Sequence, residues 1–155
     1  MNIVDLAEKT IAVTVKSSGP IECVSLGSLV TLATVLDLTN RPLFNEISRR
    51  DVASIGVSGI SGCILRTLWS DGSLADAPVL TLDAAAYLLE GGVRTVAADF
   101  PIVGASADLL LQNKCVLVYC LSNTGDISKD IVRLIALPLK TDASSAEARV
   151  IAIEE

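Results

Sequence analysis

A strand and helix alternation in the second half of the sequence constrains the fold most. Thr81 can cap a helix that Gly91-Gly92 ends, because glycine readily takes the left-handed conformation found after a helix C-terminus. Arg94 to Phe100 then forms an apolar run that a proline ends. The same plan repeats as a helix over Ser106–Lys114 and a strand over Cys115–Leu121. Strands separated by crossover helices predict a parallel sheet with right-handed connections.

The remaining elements predict a mixed architecture. Ser48 and Asp51 form a capping pattern for a helix that Gly56 ends. Apolar or β-branched runs predict further strands at Ile3–Leu6, Thr10–Val15, Leu29–Leu38, Cys63–Leu68, Leu134–Leu139 and Arg149–Ile153. The last two are separated by a loop too short for a helical crossover and should pair antiparallel. We expect one α/β domain over residues 1–155, with a small parallel sheet, covering helices and additional antiparallel strands.

The residue counts exclude several kinds of chemistry. The chain has no histidine, so Ser-His-Asp and Cys-His catalysis and the usual zinc sites are excluded. Cys115 and Cys120 are five residues apart and should face opposite sides of one strand, so no metal or other cofactor is expected. Hydrophobic residues make up 51% of the chain and aromatic residues 3%, which indicates an aliphatic core. Cys23 and Cys63, like the other two cysteines, are interpreted as small core residues.

The charge pattern limits the partners. The net charge is −6 and the longest basic run is Arg49-Arg50, so nucleic acid and anionic membrane surfaces are not expected partners. An acid at Asp5 and the lack of a long apolar run favour a cytoplasmic protein. Gly56, Gly59 and Gly62 are interpreted as turn residues, because a phosphate-binding loop would lead into a helix and here a strand follows.

Three polar residues are the candidates for a site. Asp99 follows a predicted parallel strand, and ligands of open α/β sheets bind outside such strand ends. Tyr119 lies near the same end of the next strand, so the two side chains could lie at one binding site and act as an acid/base pair. The alternative is a loop-capping aspartate and a half-buried core tyrosine. Arg66 either holds a substrate carboxylate or pairs with an acid such as Asp99 or Asp71.

Several segments resemble one family. Residues 63–69, CILRTLW, resemble the "LLRTGW" strand of the cyclase/kynurenine-formamidase-like hydrolases. Residues 84–94 resemble its "AAEWLVERGVK", residues 96–101 its "VGIDTPS", and residues 109–121 its "LLxxxIxIVENL". Residues 136–140 and 148–152 together resemble the family's "ALPLK…SPVRAIA", and residues 3–6 resemble its opening "IYDLS". The resemblance implies a swivelling β/β/α domain, a hydrolase or cyclase activity that depends on a divalent metal, and a homo-oligomer, either a dimer or a tetramer.

The family's metal element, "HxGTHxDxPxH", has no counterpart. The nearest local match is Gly27–Thr31, where Leu29 and Thr31 would occupy the positions of a ligand histidine and a ligand aspartate. The equal alternative is that the metal-binding loop is deleted from this chain. Of the family's other functional positions, the catalytic glutamate falls on Tyr119, the preceding histidine falls near Asp108, and a second aspartate falls on Gly104. Asp99 alone keeps the family's polar residue. A neutral phenol cannot replace a metal-binding carboxylate.

Two hypotheses follow. The chain is either a non-catalytic relative that binds a small molecule or a partner subunit, or a metal-independent hydrolase or cyclase of a small cyclic or acylated metabolite. In the second, Asp99 and Tyr119 are the acid/base groups and Arg66 anchors the substrate. The simultaneous loss of the metal ligands favours the first.

Overall fold

A computed structural model describes residues 1–7, 12–41, 46–56, 59–69 and 74–155. Within these ranges the chain has ten strands and four α-helices. The strands are β1 Asn2–Asp5, β2 Thr14–Lys16, β3 Val30–Asp37, β4 Glu46–Ile47, β5 Gly62–Arg66, β6 Val79–Leu80, β7 Thr95–Ala98, β8 Val116–Tyr119, β9 Ile131–Pro138 and β10 Ser145–Glu154. The helices are α1 Leu26–Leu29, α2 Arg49–Ile55, α3 Leu82–Glu90 and α4 Ala105–Gln112.

Seven of the strands form a closed, barrel-like sheet. Their order is β10, β2, β8, β7, β5, β3, β9, and β9 pairs again with β10. β3, β5, β7 and β8 are parallel, whereas the other pairings of the ring are antiparallel. The ring closes through β10, because its start pairs with β2 while a longer stretch pairs with β9. β1 adds to the end of β10, and β4 and β6 form a separate parallel pair.

Alternation along the strands divides the core into two clusters. Inward residues such as Val35, Ile64, Ala97 and Val118 fill the barrel. Their neighbours, including Leu36, pack with the helices on the outside of the parallel strands. The parallel strands β3, β5, β7 and β8 contribute to both clusters, because successive side chains point to opposite faces, whereas β1, β2, β9 and β10 contribute only to the barrel cluster.

The mixed α/β class, the parallel crossovers and the antiparallel C-terminal pair are confirmed. Ser48 forms a capping box with Asp51, and Thr81 caps α3 through the N–H of Ala84. The closure of the sheet was not predicted. The second strand begins at Thr14, later than predicted, and the start of its predicted range lies outside the described residues.

The prediction for the cysteines is confirmed at two positions. Cys63 and Cys115 are buried, but Cys120 is half-buried and Cys23 is exposed in a short 3-10 turn, so Cys23 is not a core residue. Gly59 lies in a bend before β5, but Gly62 is the first residue of that strand, so the turn interpretation of Gly62 is wrong; residues 57 and 58 lie outside the described ranges. Among the described helices, none combines the length and apolar character needed to cross a membrane.

Candidate functional site

Three charged residues meet where parallel strands end. Asp37 ends β3, Arg66 ends β5 and Asp99 follows β7 directly. The register places Asp37 opposite Arg66. Each of the three residues directly follows a residue of the helix-side cluster, which is the set of core residues that packs against the helices outside the barrel. Because successive side chains point to opposite faces, all three residues belong to the barrel side of the sheet. We call this group the barrel mouth. It lies at the carboxyl ends of the strands, where the sequence predicted a site.

The carboxylate of Asp99 is fully engaged. The residue is 3% exposed. Its oxygens accept hydrogen bonds from the Thr67 N–H at 2.9 Å, the Thr67 hydroxyl at 2.7 Å and the Leu68 N–H at 2.8 Å. The Thr124 hydroxyl donates a further bond at 2.9 Å. One carboxylate therefore ties the segment after β5 to the loop after β8.

An unusual backbone conformation lies next to this contact. Leu68 has a φ of 61°, in the left-handed region that side chains with a Cβ rarely take. Its N–H donates to Asp99, so the hydrogen bond and the strained turn occur together. Burial raises the pKa of Asp99 above its ordinary value, and the bonds from Thr67, Leu68 and Thr124 oppose that rise.

Arg66 is held by protein groups rather than left open. Its guanidinium donates to the Asp37 carboxylate at 2.8 Å and to the carbonyl of Ile127 at 2.9 Å. A longer contact of 3.4 Å reaches the carbonyl of Thr124. The structural pairing expected for Arg66 is thus present, but its partner is Asp37 and not Asp99; Asp71 lies outside the described residues.

Sequence reasoning missed Asp37 as a member of the mouth. The signal was its position at the end of a predicted strand, which in a parallel sheet lies beside the end of the next strand. Hydrogen bonds from Thr39 and, to a lesser degree, from Arg66 lower the pKa of Asp37. Asp37 therefore carries a stable negative charge opposite the arginine.

Tyr119 is not brought together with Asp99. The register pairs Ala97 with Val118, and both side chains lie inside the barrel. The next residues along the two strands, Ala98 and Tyr119, therefore point to the opposite face of the sheet. Tyr119 indeed packs against the helix-side cluster. No hydrogen bond joins it to Asp99 in the part of the chain that the structure describes, and burial raises the pKa of its phenol.

The residues at the family's metal positions do not fit a metal ion. Leu29 is buried and apolar, and the Thr31 hydroxyl bonds to Ser61 and to the Leu32 carbonyl. Gly104 caps α4 without a side chain, and Asp108 lies on the exposed side of that helix. Within the described ranges, no three Cys, Asp or Glu side chains converge as ligands would.

A cavity with both polar and apolar walls lies beside the mouth. It has a volume of about 400 Å³, and Asp37, Asn40, Arg41, Asp51 and Ser54 are among its lining residues. The Arg41 Nη1 donates to a backbone carbonyl at 2.8 Å, while its Nε is buried and has no hydrogen-bond partner among the described residues. The cavity wall thus carries one guanidinium group and two carboxylates, and both carboxylates already accept hydrogen bonds from the protein, Asp37 from Arg66 and Asp51 from Ser48.

Several solved structures of known or predicted hydrolases have the same fold. The chain superposes on a potential metal-dependent hydrolase with cyclase activity with a TM-score of 0.85, 17% identity and 99% of both chains covered. Isatin hydrolase A from Labrenzia aggregata, bound to benzyl benzoate, gives a TM-score of 0.81 at 16% identity, covering 97% of this chain and 93% of that chain. A predicted metal-dependent hydrolase from Bacillus stearothermophilus gives 0.72 at 17%, covering 97% and 85%.

These likenesses show a shared fold and confirm, at that level, the resemblance to the cyclase-like hydrolases. No protein-family model and no curated protein sequence matches the chain.

Proposed function

We propose that the chain is a divergent cyclase-like domain, of the swivelling β/β/α type, that lacks the family's metal site and acts by binding rather than by catalysis. The engagement of the charged groups at the mouth carries this proposal. A general base needs a free lone pair near its substrate, yet Asp99 accepts four close hydrogen bonds from the protein. Arg66 is likewise occupied by Asp37 and by backbone carbonyls.

A small polar molecule is the ligand that suits the cavity beside the mouth. Arg41 supplies a cation, and Asp37 and Asp51 supply anions on other parts of the wall. A ligand with one acidic and one basic or amide group would satisfy both kinds of wall group. Arg41→Met should therefore weaken binding of such a ligand, whereas Arg50→Met, on the neighbouring helix, serves as a control.

Turnover of isatin tests the absence of catalysis. Isatin is the substrate in the names of three of the structurally similar hydrolases. Purified protein, incubated with isatin in the presence and absence of added Mn²⁺, should open the ring no faster than buffer containing Mn²⁺ alone. Metal analysis of the same sample should find less than about 0.1 divalent ion per chain, given the lack of suitable ligands. Protein-dependent ring opening, or stoichiometric metal, would overturn the proposal.

Metal-independent hydrolysis is the second candidate. Burial raises the pKa of Asp99, which is what a general acid working near neutral pH requires. In this alternative Asp99 is the acid/base group, Tyr119 donates a proton or stabilises an oxyanion, and Arg66 anchors the substrate. Tyr119→Phe separates the candidates, because it removes one hydroxyl without disturbing the Asp99 contacts. A hydrolytic activity that falls at least about 100-fold in this variant would favour catalysis.

The location and assembly are proposals as well. All four cysteines are free thiols, which suits the reducing cytoplasm. A homo-oligomer, dimer or tetramer, is the assembly that the resemblance implies.

A further inference from the structure

A second cavity lies at the end of the barrel opposite the mouth. Its wall includes Ser17, which follows β2, Ser28 in the short helix before β3, and Cys115 directly before β8. Parallel strands begin at the edge of the sheet opposite their carboxyl ends, so the length of the strands separates this cavity from the barrel mouth. We call it the base cavity. Its volume is about 310 Å³, which is at the lower end of the range of small-molecule sites.

The wall of the base cavity favours an anionic ligand. Four serines contribute to it, and Lys114 is the one charged side chain among the described residues that line it. Glu22 is exposed in the neighbouring turn but does not belong to the wall, and Arg94 is close enough to Cys115 to act on the charge of its thiol. The charge on the wall is therefore positive, although the whole chain carries a net charge of −6.

The end of α4 fixes the position of Lys114. Asn113 caps this helix, and Lys114 takes the left-handed conformation that follows it, with a φ of 63°. The N–H of Lys114 donates to the carbonyl of Leu111 at 3.0 Å, and the N–H of Cys115 donates to the carbonyl of Leu110 at 3.0 Å. These bonds end the helix and lead the chain directly into β8. The backbone of the lysine is thus held at one point of the cavity wall.

Two thiols share the wall with this lysine. Cys23 is exposed and ends a 3-10 turn that buried Ile21 anchors. Cys115 is 1% exposed, and its Sγ donates to the carbonyl of Val93 at 3.5 Å. Burial raises the pKa of the Cys115 thiol, and Arg94 opposes this rise only in part, so the thiol stays protonated at neutral pH and is a poor nucleophile. Cys23 is therefore the thiol of the cavity that a reagent in solution reaches.

We propose that the base cavity is a modification site, where Cys23 forms a mixed disulfide with a small thiol that carries carboxylates. The thiolate of Cys23 attacks one sulfur of the symmetrical disulfide of that thiol. The S–S bond of the reagent breaks, a bond forms between Cys23 Sγ and the attacked sulfur, and the other half leaves as a thiolate. One disulfide is exchanged for another, so the step needs no further oxidant.

The wall groups hold the half of the reagent that stays. Lys114 pairs with one of its carboxylates, and the serine hydroxyls donate to its other oxygens. Cys115 does not displace the adduct from Cys23, because its buried thiol is protonated. The mixed disulfide therefore accumulates until an excess of a reducing thiol removes it. The barrel mouth takes no part in this exchange.

The concentration dependence of the exchange tests whether the reagent binds before it reacts. Purified protein is mixed with oxidised glutathione, an anionic disulfide, or with cystamine, a cationic one, and peptide mass spectrometry locates the adduct. Oxidised glutathione should modify Cys23 at a rate that saturates towards about 10 mM, as for a ligand with a Kd of about 1 mM. The rate with cystamine should rise linearly, because the positive wall does not bind it. Cys23→Ser should remove the adduct.

Lys114→Met removes the charge of the wall, and Lys129→Met is the matched control, because Lys129 is also exposed but lies at the mouth end of the barrel. The rate with oxidised glutathione should fall about fivefold in Lys114→Met, which is the factor for unit charges about 4 Å apart in water. The rate with cystamine should not fall, and Lys129→Met should match the wild type. A linear dependence on oxidised glutathione, an unchanged rate in Lys114→Met, or an adduct that forms equally fast on half-buried Cys120 would each overturn the proposal.

Discussion

Replacing Asp99 by alanine tests whether this carboxylate holds the fold or serves a reaction. The change removes the acceptor of four hydrogen bonds, two from backbone N–H groups of Thr67 and Leu68 and two from threonine hydroxyls. Each bond contributes about 1 kcal/mol net, and the charged acceptor makes the upper end appropriate, for a total of about 4–5 kcal/mol. The alanine variant no longer buries a carboxylate, and avoiding this desolvation cost offsets the loss by about 1–2 kcal/mol. We expect a net loss of about 3 kcal/mol.

Urea denaturation at pH 7 measures this loss. With a slope of about 2 kcal/mol per molar urea, the midpoint should fall by about 1.5 M. Asp37→Asn is the control from the same mouth: its carboxylate is 43% exposed, so its removal should cost below about 1 kcal/mol. A loss under about 1 kcal/mol for Asp99→Ala would refute the structural reading. If a hydrolytic activity disappeared in that stable variant, Asp99 would belong to a reaction instead.

Three further changes probe other parts of the chain. Hydrogen bonds from Asn2 and from residues 128 and 129 lower the pKa of Glu154 to about 2, from an ordinary value of 4.5. Its contribution to stability is therefore complete above pH 4.5 and lost as the pH falls towards 2, and Glu154→Gln should flatten that part of a stability-against-pH profile, unlike Glu155→Gln. Gly62→Ala should cost about 2 kcal/mol or more in urea denaturation, because the added Cβ would lie 2.7 Å from the backbone oxygen of Leu32; an unchanged midpoint would contradict this packing. Leu68→Gly should raise the free energy of unfolding by about 0.5–1 kcal/mol, since glycine takes a φ of 61° without strain, and a destabilised variant would show that the exposed leucine makes an important contact.

The site shows where sequence reasoning stops. The positions of Asp99 at a strand end and of Arg66 within an apolar strand were readable, since both depend on local patterns. The donors to Asp99 were not, because Thr67 and Thr124 are 32 and 25 residues away in the chain. The relation of Asp99 to Tyr119 depends on the register of two strands, and a shift of one residue moves a side chain to the opposite face.

The sequence by itself determined the three longer helices α2, α3 and α4, most strands and the aliphatic nature of the core. Helix caps at Ser48 and Thr81 and apolar periodicity act within a few residues, so they can be read locally. Only the tertiary structure decided that β10 pairs on both sides and closes the sheet, and that Asp37 is the partner of Arg66. Those outcomes depend on which distant strands become neighbours, and no local pattern contains that information.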